Sequence, residues 1–373
     1  LHAFKTNTEL AQDDVLVGWG QKANTRQIRQ KAHDLGLPYW QLEDGFIGYI
    51  GHPARGGKAV SLIADPVGIY YDARQPSRLE ELIATPCDDS MLARAETLTA
   101  ELLRLGITKY NCYTADSGLP DTLTARLHSD PRPKVLLIDQ VAGDLSIPGA
   151  LASEEDFVAM VAAARRNHPD ARLLLRTHPD TRLGKKSGVL ARLALDDVEV
   201  VAEHCHPHAL LNSVEAVYTV SSQMGFEALL LGKAVHCFGM PFYAGWGLTH
   251  DSKTCPRRQG PIALPQLVAA ALILYPRYLD PILGQRCEVE QVLDIIAGQQ
   301  SPAPRYRRLY MVGFSLWKRA FMRAFCQPLA EELRFVRKLP ETLADDEQVL
   351  LWGSRHPERQ NAIRVEDGFI RSR

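Results

Sequence analysis

Ala216-Val217-Tyr218-Thr219-Val220-Ser221-Ser222-Gln223-Met224-Gly225-Phe226-Glu227-Ala228-Leu229-Leu230-Leu231-Gly232 reads as a buried, β-branched strand that ends on two serines and gives way to a helix. A strand feeding directly into a helix is half of a βαβ unit, so the chain around it is expected to be α/β. The hydroxyls of Ser221 and Ser222 stand beside unsatisfied helix N–H groups at the positive end of the dipole, a setting suited to phosphate. Glu227, on an early turn of that helix, is placed to accept two hydroxyl hydrogen bonds, as from a ribose. The same serines also suit a plain N-cap, with Glu227 capping or solvated.

Outward from this stretch, Val15–Val17, Tyr39–Leu42, Val60–Ile63, Val135–Ile138, Arg172–Leu175 and Ala234–Phe238 read as further buried strands. Helix-length segments such as Glu154–Asn167 and Gly225–Leu231 alternate with them, as in a parallel sheet covered on both faces. Ser129-Asp130-Pro131-Arg132-Pro133-Lys134 breaks the pattern and predicts a domain boundary. Two Rossmann-like domains, 1–131 and 132–300, would then face a cleft, with ligands beyond the carboxyl ends of the strands.

The composition fits that reading. The 373 residues are 46% hydrophobic and 23% charged, with 43 Lys+Arg against 44 Asp+Glu, which excludes a disordered chain and a strongly basic nucleic-acid binder. Seven scattered cysteines without a CxxC fit reduced thiols. From Ser301 the character changes. Arg305–Lys338 carries nine Lys/Arg against Glu331 and Glu332, a local net of +7, and Trp317, Phe321, Phe325 and Leu329 recur at helical spacing. Residues 301–345 are therefore expected to be a basic helical connector packing on the first module; an approach of its basic face to an anionic membrane is a second expectation.

Two stretches repeat. Val15-Leu16-Val17-Gly18-Trp19-Gly20 with Leu42-Glu43-Asp44-Gly45-Phe46-Ile47 returns as Val349-Leu350-Leu351-Trp352-Gly353 with Val365-Glu366-Asp367-Gly368-Phe369-Ile370. Residues 346–373 are thus expected to open a second copy of one module.

Other strand ends carry chemistry too. Arg176 and His178 close the strand Arg172–Leu175, where an imidazole can bind phosphate oxygen. Asp139 follows four apolar residues and can act as nucleophile or base. Glu43 and Asp44 follow Tyr39–Leu42 on the opposing domain, and two facing carboxylates suit glycosyl transfer. Phe238-Gly239-Met240-Pro241-Phe242-Tyr243-Ala244-Gly245-Trp246-Gly247 is either a rigid loop or one that offers Tyr243 or Trp246 for stacking. Glu203-His204-Cys205-His206-Pro207-His208 does not converge on one ion, so no metal is expected. There is no Asp-x-Asp and no GxxxxGK[ST].

Together these motifs resemble the KpsC family of capsular polysaccharide β-Kdo transferases. Glu-Asp-Gly-Phe, Tyr70-Tyr71-Asp72-Ala73-Arg74-Gln75-Pro76-Ser77, Asp139-Gln140, His178-Pro179, Ser221-Ser222 with Gly225-Phe226-Glu227-Ala228-Leu229-Leu230, and Pro241-Phe242-Tyr243-Ala244-Gly245-Trp246-Gly247-Leu248-Thr249 carry the resemblance. It implies a GT-B fold in tandem transferase modules and transfer of Kdo from CMP-β-Kdo. The acceptor would be a Kdo-lysophosphatidylglycerol-type glycolipid of Gram-negative capsules. By the same resemblance, His178, Ser221 and Ser222 would hold the CMP phosphate and Glu227 the ribose, with Arg176 and Gly225 further donor-binding candidates. Asp139 would be the nucleophile of a retaining reaction, and Glu43, with Asp44 second, the acid/base. The expected linkage is β-(2→4), the expected location cytoplasmic or peripheral at the inner membrane, and the expected partners capsule assembly proteins. No cofactor is expected beyond the donor. A GT-B enzyme using a UDP-sugar and a non-catalytic scaffold are the competing readings.

Overall fold

A computed structural model describes residues 10–53, 56–113, 117–177, 187–193, 195–299 and 305–366. The chain forms two compact units, Leu1–Ala297 and Gly298–Arg373.

The larger unit holds two sheets. The first is built from β1 (Leu16–Trp19), β2 (Tyr39–Asp44) and β5 (Ser61–Asp65), with the small hairpin β3 (Tyr49–Ile50) and β4 (Lys58–Ala59) between the last two. The second contains β6 (Lys134–Ile138), β7 (Arg172–Arg176), β8 (Val198–Val201), β9 (Ala216–Thr219), β10 (Ala234–Cys237) and β11 (His250–Asp251). All its pairings are parallel, in the order β11-β10-β9-β6-β7-β8. The interiors of its central strands are apolar, as a sheet covered on both faces requires. The helix Glu154–Asn167 starts at a capping box between Ser153 and Asp156 and buries Phe157, Met160 and Val161 against that sheet.

The first sheet corrects the expectation of two Rossmann-like sheets. Only β1 and β2 run parallel; β2 and β5 pair antiparallel, with Glu43 opposite Ile63. A parallel return needs a long crossover, usually a helix, and the chain after Asp44 makes the β3–β4 hairpin instead. The limits 132–300 are also corrected. β12 (Arg277–Asp280) and β13 (Gln285–Cys287) return to the first sheet, β12 pairing with β5 through Leu62 and Arg277.

One continuous apolar core joins the two sheets. Phe46 of the Glu-Asp-Gly-Phe turn lies 4.5 Å from Phe242, 4.8 Å from Tyr70 and 6.3 Å from Phe226, ring to ring. Four motifs thus meet in one aromatic cluster, in which each ring pair contributes about 0.5–1.5 kcal/mol beyond area burial. Gly45 is required there, because a Cβ would sit 1.9 Å from Ser61 Oγ. The Pro241–Gly247 loop is fixed by Arg258, whose Nη1 donates to the carbonyls of Pro241 and Ala244 while its Nε donates to Glu80. Arg257 binds the same carboxylate.

The smaller unit is a parallel sheet of β14 (Tyr306–Val312), β15 (Ala330–Val336), β16 (Glu347–Trp352) and β17 (Ile363–Val365), ordered β15-β14-β16-β17. Residues 301–345 are therefore not a helical connector: β14, the helix Leu316–Cys326 and β15 belong to the same fold as β16. Three of the nine basic residues meet acids within it: Arg307 pairs with Asp346 and Glu347, Arg308 with Glu332 and Glu347, and Arg334 with Glu332. The apolar stripe is corrected as well. Met322 and Cys326 are buried, whereas Trp317 and Phe325 are 75% and 73% exposed. β16 and β17 pair in parallel as β1 and β2 do. Asp367-Gly368-Phe369-Ile370 lies outside the described residues.

Candidate active site

In the second sheet the chain runs from β6 to β7 and β8 on one side, then crosses to β9 and β10 on the other. The carboxyl ends of β6 and β9 therefore flank the point where strand order reverses, where ligands of α/β sheets bind. A cleft of about 1130 Å³ opens there, lined from the second sheet by Asp139, Gln140, Arg176, Ser221 and Glu227, and from the first sheet and its loops by Glu43, Tyr71 and Lys109.

Ser221 and Ser222 divide their work. Ser222 caps the helix Gln223–Leu230, accepting from Met224 N at 3.3 Å. Ser221 is gripped by Gln140, whose Nε2 donates to Ser221 Oγ at 2.9 Å and whose Oε1 accepts from Ser221 N at 2.8 Å. Among the described residues the hydroxyl proton reaches Ser146 Oγ, at 3.4 Å. Gln140, absent from the expected site, is legible only as the polar residue next after Asp139.

Glu227 is 8% exposed, and burial pushes its carboxyl up to about 7, opposed by Lys109. Its neighbour His208, 3.8 Å away, is pushed down to about 4 by burial and by His206, so it is neutral near pH 7. Arg176 donates through Nη1 to the carbonyl of Glu203 at 2.7 Å and borders the cleft. His178 lies outside the described residues.

The three carboxylates expected to be catalytic differ sharply. Asp139 is 2% exposed: Oδ1 accepts from Gln140 N and Leu190 N, each at 2.9 Å, and Oδ2 from Ala191 N at 3.2 Å. Burial raises its pKa against those donors. Asp44 accepts from Tyr49 Oη at 2.6 Å. Glu43 is half-buried, accepts from Asp44 N at 3.1 Å, and borders the cleft. Burial raises its pKa, opposed by that amide and by Lys109. Lys109 thus lowers the cost of charge on both Glu43 and Glu227; no motif marks it in the sequence.

Of the two readings of the loop 238–247, the rigid one holds. Tyr243 and Trp246 do not stack on a ligand, since both are buried; Trp246 donates to Phe242 O and Tyr243 Oη to Ser222 O at 2.6 Å. Gly225 lies beneath that phenol, where a Cβ would meet Tyr243 Oη at 2.2 Å, so packing requires a glycine there. Gly225→Ala is expected to destabilise the larger unit by about 1–3 kcal/mol in denaturant unfolding.

Residues 14–105 and 89–278 match the family model described as capsule polysaccharide biosynthesis protein. The capsule polysaccharide modification protein LipA of Neisseria meningitidis serogroup B is 38% identical over 381 residues, covering 96% of this chain and 54% of LipA. The chain thus spans about half the length of the curated relative it matches. Among solved structures, the β-Kdo 2,4 transferase of Thermosulfurimonas dismutans KpsC is 43% identical with a TM-score of 0.71, over 76% of this chain and 86% of that one. The β-Kdo 2,7 transferase of the same KpsC is 31% identical with a TM-score of 0.57, over 76% of this chain and 84% of that one.

Proposed function

The chain belongs to the capsule polysaccharide biosynthesis protein family, of the KpsC type, and from that premise we propose that it is a GT-B glycosyltransferase moving Kdo from CMP-β-Kdo onto a Kdo-terminated glycolipid. The observation that carries this reading is the cleft at the strand-order reversal, where Ser221 and Glu227 stand across from Glu43. The higher identity to the 2,4 transferase than to the 2,7 transferase supports a β-(2→4) linkage. The tandem-module reading draws support from the β16–β17 pair, which repeats β1–β2. On this reading the enzyme works with capsule assembly proteins at the cytoplasmic face of the inner membrane. Among the described residues no helix is long and apolar enough to cross a membrane.

Ser221, oriented by Gln140, donates its hydroxyl to a donor phosphate oxygen, with Arg176 supplying charge. Glu227 accepts from the ribose hydroxyls. A retaining reaction needs a nucleophile on the face opposite the leaving phosphate. Asp139 shares a sheet edge with Ser221 and is engaged by three amides, whereas Glu43 faces that edge from the other sheet. We therefore assign the attack to Glu43. Its carboxylate oxygen bonds to the anomeric carbon as the bond to phosphate breaks and CMP leaves with the electron pair. The acceptor hydroxyl then attacks that carbon, the ester bond breaks, and the hydroxyl proton passes to the departed phosphate or to water.

Incubation with CMP-Kdo and a Kdo glycoside should give an acceptor longer by one Kdo, with a β-(2→4) linkage by NMR. No product with any Kdo-terminated acceptor overturns the proposal. Preferential binding of UDP over CMP in calorimetry would favour a UDP-sugar enzyme, and full capsule complementation by Glu43→Gln a scaffold.

Donor binding should also depend on pH through Glu227. The ionised carboxylate is the better acceptor for ribose hydroxyls, so CMP affinity is expected to rise as pH climbs through about 7. A phosphate monoester itself titrates near pH 6, so Glu227→Gln isolates the carboxylate's share. The variant should lose the dependence around 7 and keep only that of the ligand.

A further inference from the structure

A surface helix ordinarily turns polar side chains to solvent; the helix Leu316–Cys326 of the smaller unit does the reverse. Met322 and Cys326 pack beneath it. At 100° per residue, Leu316, Ala320, Ala324, Trp317, Phe321 and Phe325 follow one another around its outer half. Leu316 is 82% exposed, Trp317 and Phe325 only slightly less, and the half-buried Phe321 ring lies 5.2 Å from that of Trp317. Solvent thus meets an apolar strip roughly 16 Å long.

The charge around the strip says what covers it. No acidic residue lies on the helix, and Arg323 borders the strip on one side and Lys318 on the other. Arg337 and Lys338, both exposed, follow β15, whose last residue Val336 accepts at 3.1 Å from Gly313 N, just ahead of the helix. None of these four cations pairs with an acid among the described residues. A second copy of the chain, packed face to face, would set like charges against each other. An anionic lipid surface neutralises them and covers the strip at once. Eleven residues are too few to span a bilayer, but a helix lying flat places Trp and Phe at the headgroup boundary and basic side chains against the phosphates. We propose that this face of the helix Leu316–Cys326 docks the protein on an anionic phospholipid surface. The assignment goes beyond the transferase reading and does not depend on it, since lipid binding needs no turnover.

Flotation of the whole chain with lipid vesicles is the test. Wild type should float with vesicles of phosphatidylglycerol and phosphatidylethanolamine, less so as salt rises, and stay in solution with pure phosphatidylcholine. Trp317→Ser/Phe325→Ser, at two exposed positions where thermal melting checks the fold, should lower vesicle affinity about 10-fold or more. Arg337→Gln/Lys338→Gln should lower it roughly 5-fold per cation. Both variants should turn over a soluble Kdo glycoside as wild type does. Absent flotation with the anionic vesicles, equal flotation with phosphatidylcholine, or undiminished binding by the folded Trp317→Ser/Phe325→Ser variant overturns the assignment. A wild-type dimer that this variant abolishes, without flotation, gives the face to a second copy instead. A wild type that floats but transfers no Kdo overturns the transferase reading alone.

Discussion

Glu43→Gln is expected to lower the rate of Kdo transfer by roughly 10³–10⁴-fold while leaving CMP affinity unchanged. The substitution keeps the shape of the side chain and its contact with Asp44 N, and removes only the charge and the nucleophilic lone pair. The effect should fall on kcat, since Glu43 lies across the cleft from Ser221 and Glu227 and bonds strongly only in the transition state. Mass spectrometry of protein exposed to CMP-Kdo gives an independent readout. An adduct mapping to the peptide containing Glu43 is expected in wild type and should be absent from the variant. An adduct on Asp139 that survives Glu43→Gln would transfer the nucleophile's role to Asp139.

The second large effect is expected at Asp139, and of a different kind. Asp139→Ala strips the acceptor from the buried amides of Gln140 and Leu190 and from the part-buried amide of Ala191. An unsatisfied buried donor costs about 1–3 kcal/mol, so unfolding stability should fall by several kcal/mol, beyond the cost of the vacated space. Asp139→Asn should recover part of this, because its carbonyl oxygen still accepts while its NH₂ opposes an amide donor. Since Gln140 orients Ser221, the displaced backbone should weaken donor binding as well. The activity loss, roughly 10²-fold, should therefore appear largely in the donor KM and accompany the fall in stability. A loss in kcat alone at wild-type stability would contradict the clamping role.

Much of the larger unit was legible because buried parallel strands are written in uninterrupted apolar runs. Val135–Ile138 and Arg172–Leu175 became β6 and β7, and Glu154–Asn167 became a helix with those ends. What escaped was written differently. β12, Arg-Tyr-Leu-Asp, is a short strand with polar ends whose place depends on Ser61–Leu62, more than 200 residues earlier. In β14, Tyr306-Arg307-Arg308-Leu309-Tyr310-Met311-Val312, the two arginines masked a strand, since the acids that neutralise them come from β15, β16 and the residue before β16. At the site, residue types after strand ends pointed to the cleft, but not to how each carboxylate is held. Asp139 and Glu43 look alike in sequence, and the deeper burial of Asp139 with the amides of Leu190 and Ala191 tells them apart.

The return of β12 to the first sheet bears on the order in which the chain acquires structure. Domains usually fold as units from the amino terminus during synthesis. Here Ser61 and Leu62 must wait for Tyr278 and Arg277 to emerge before their outer edge is paired. Until then the partly built sheet presents an open edge, the feature that invites pairing with other chains. The six-stranded sheet, closed by residue 251, is free to form first. The amino-terminal half thus finishes last, on a template supplied by the half that follows it.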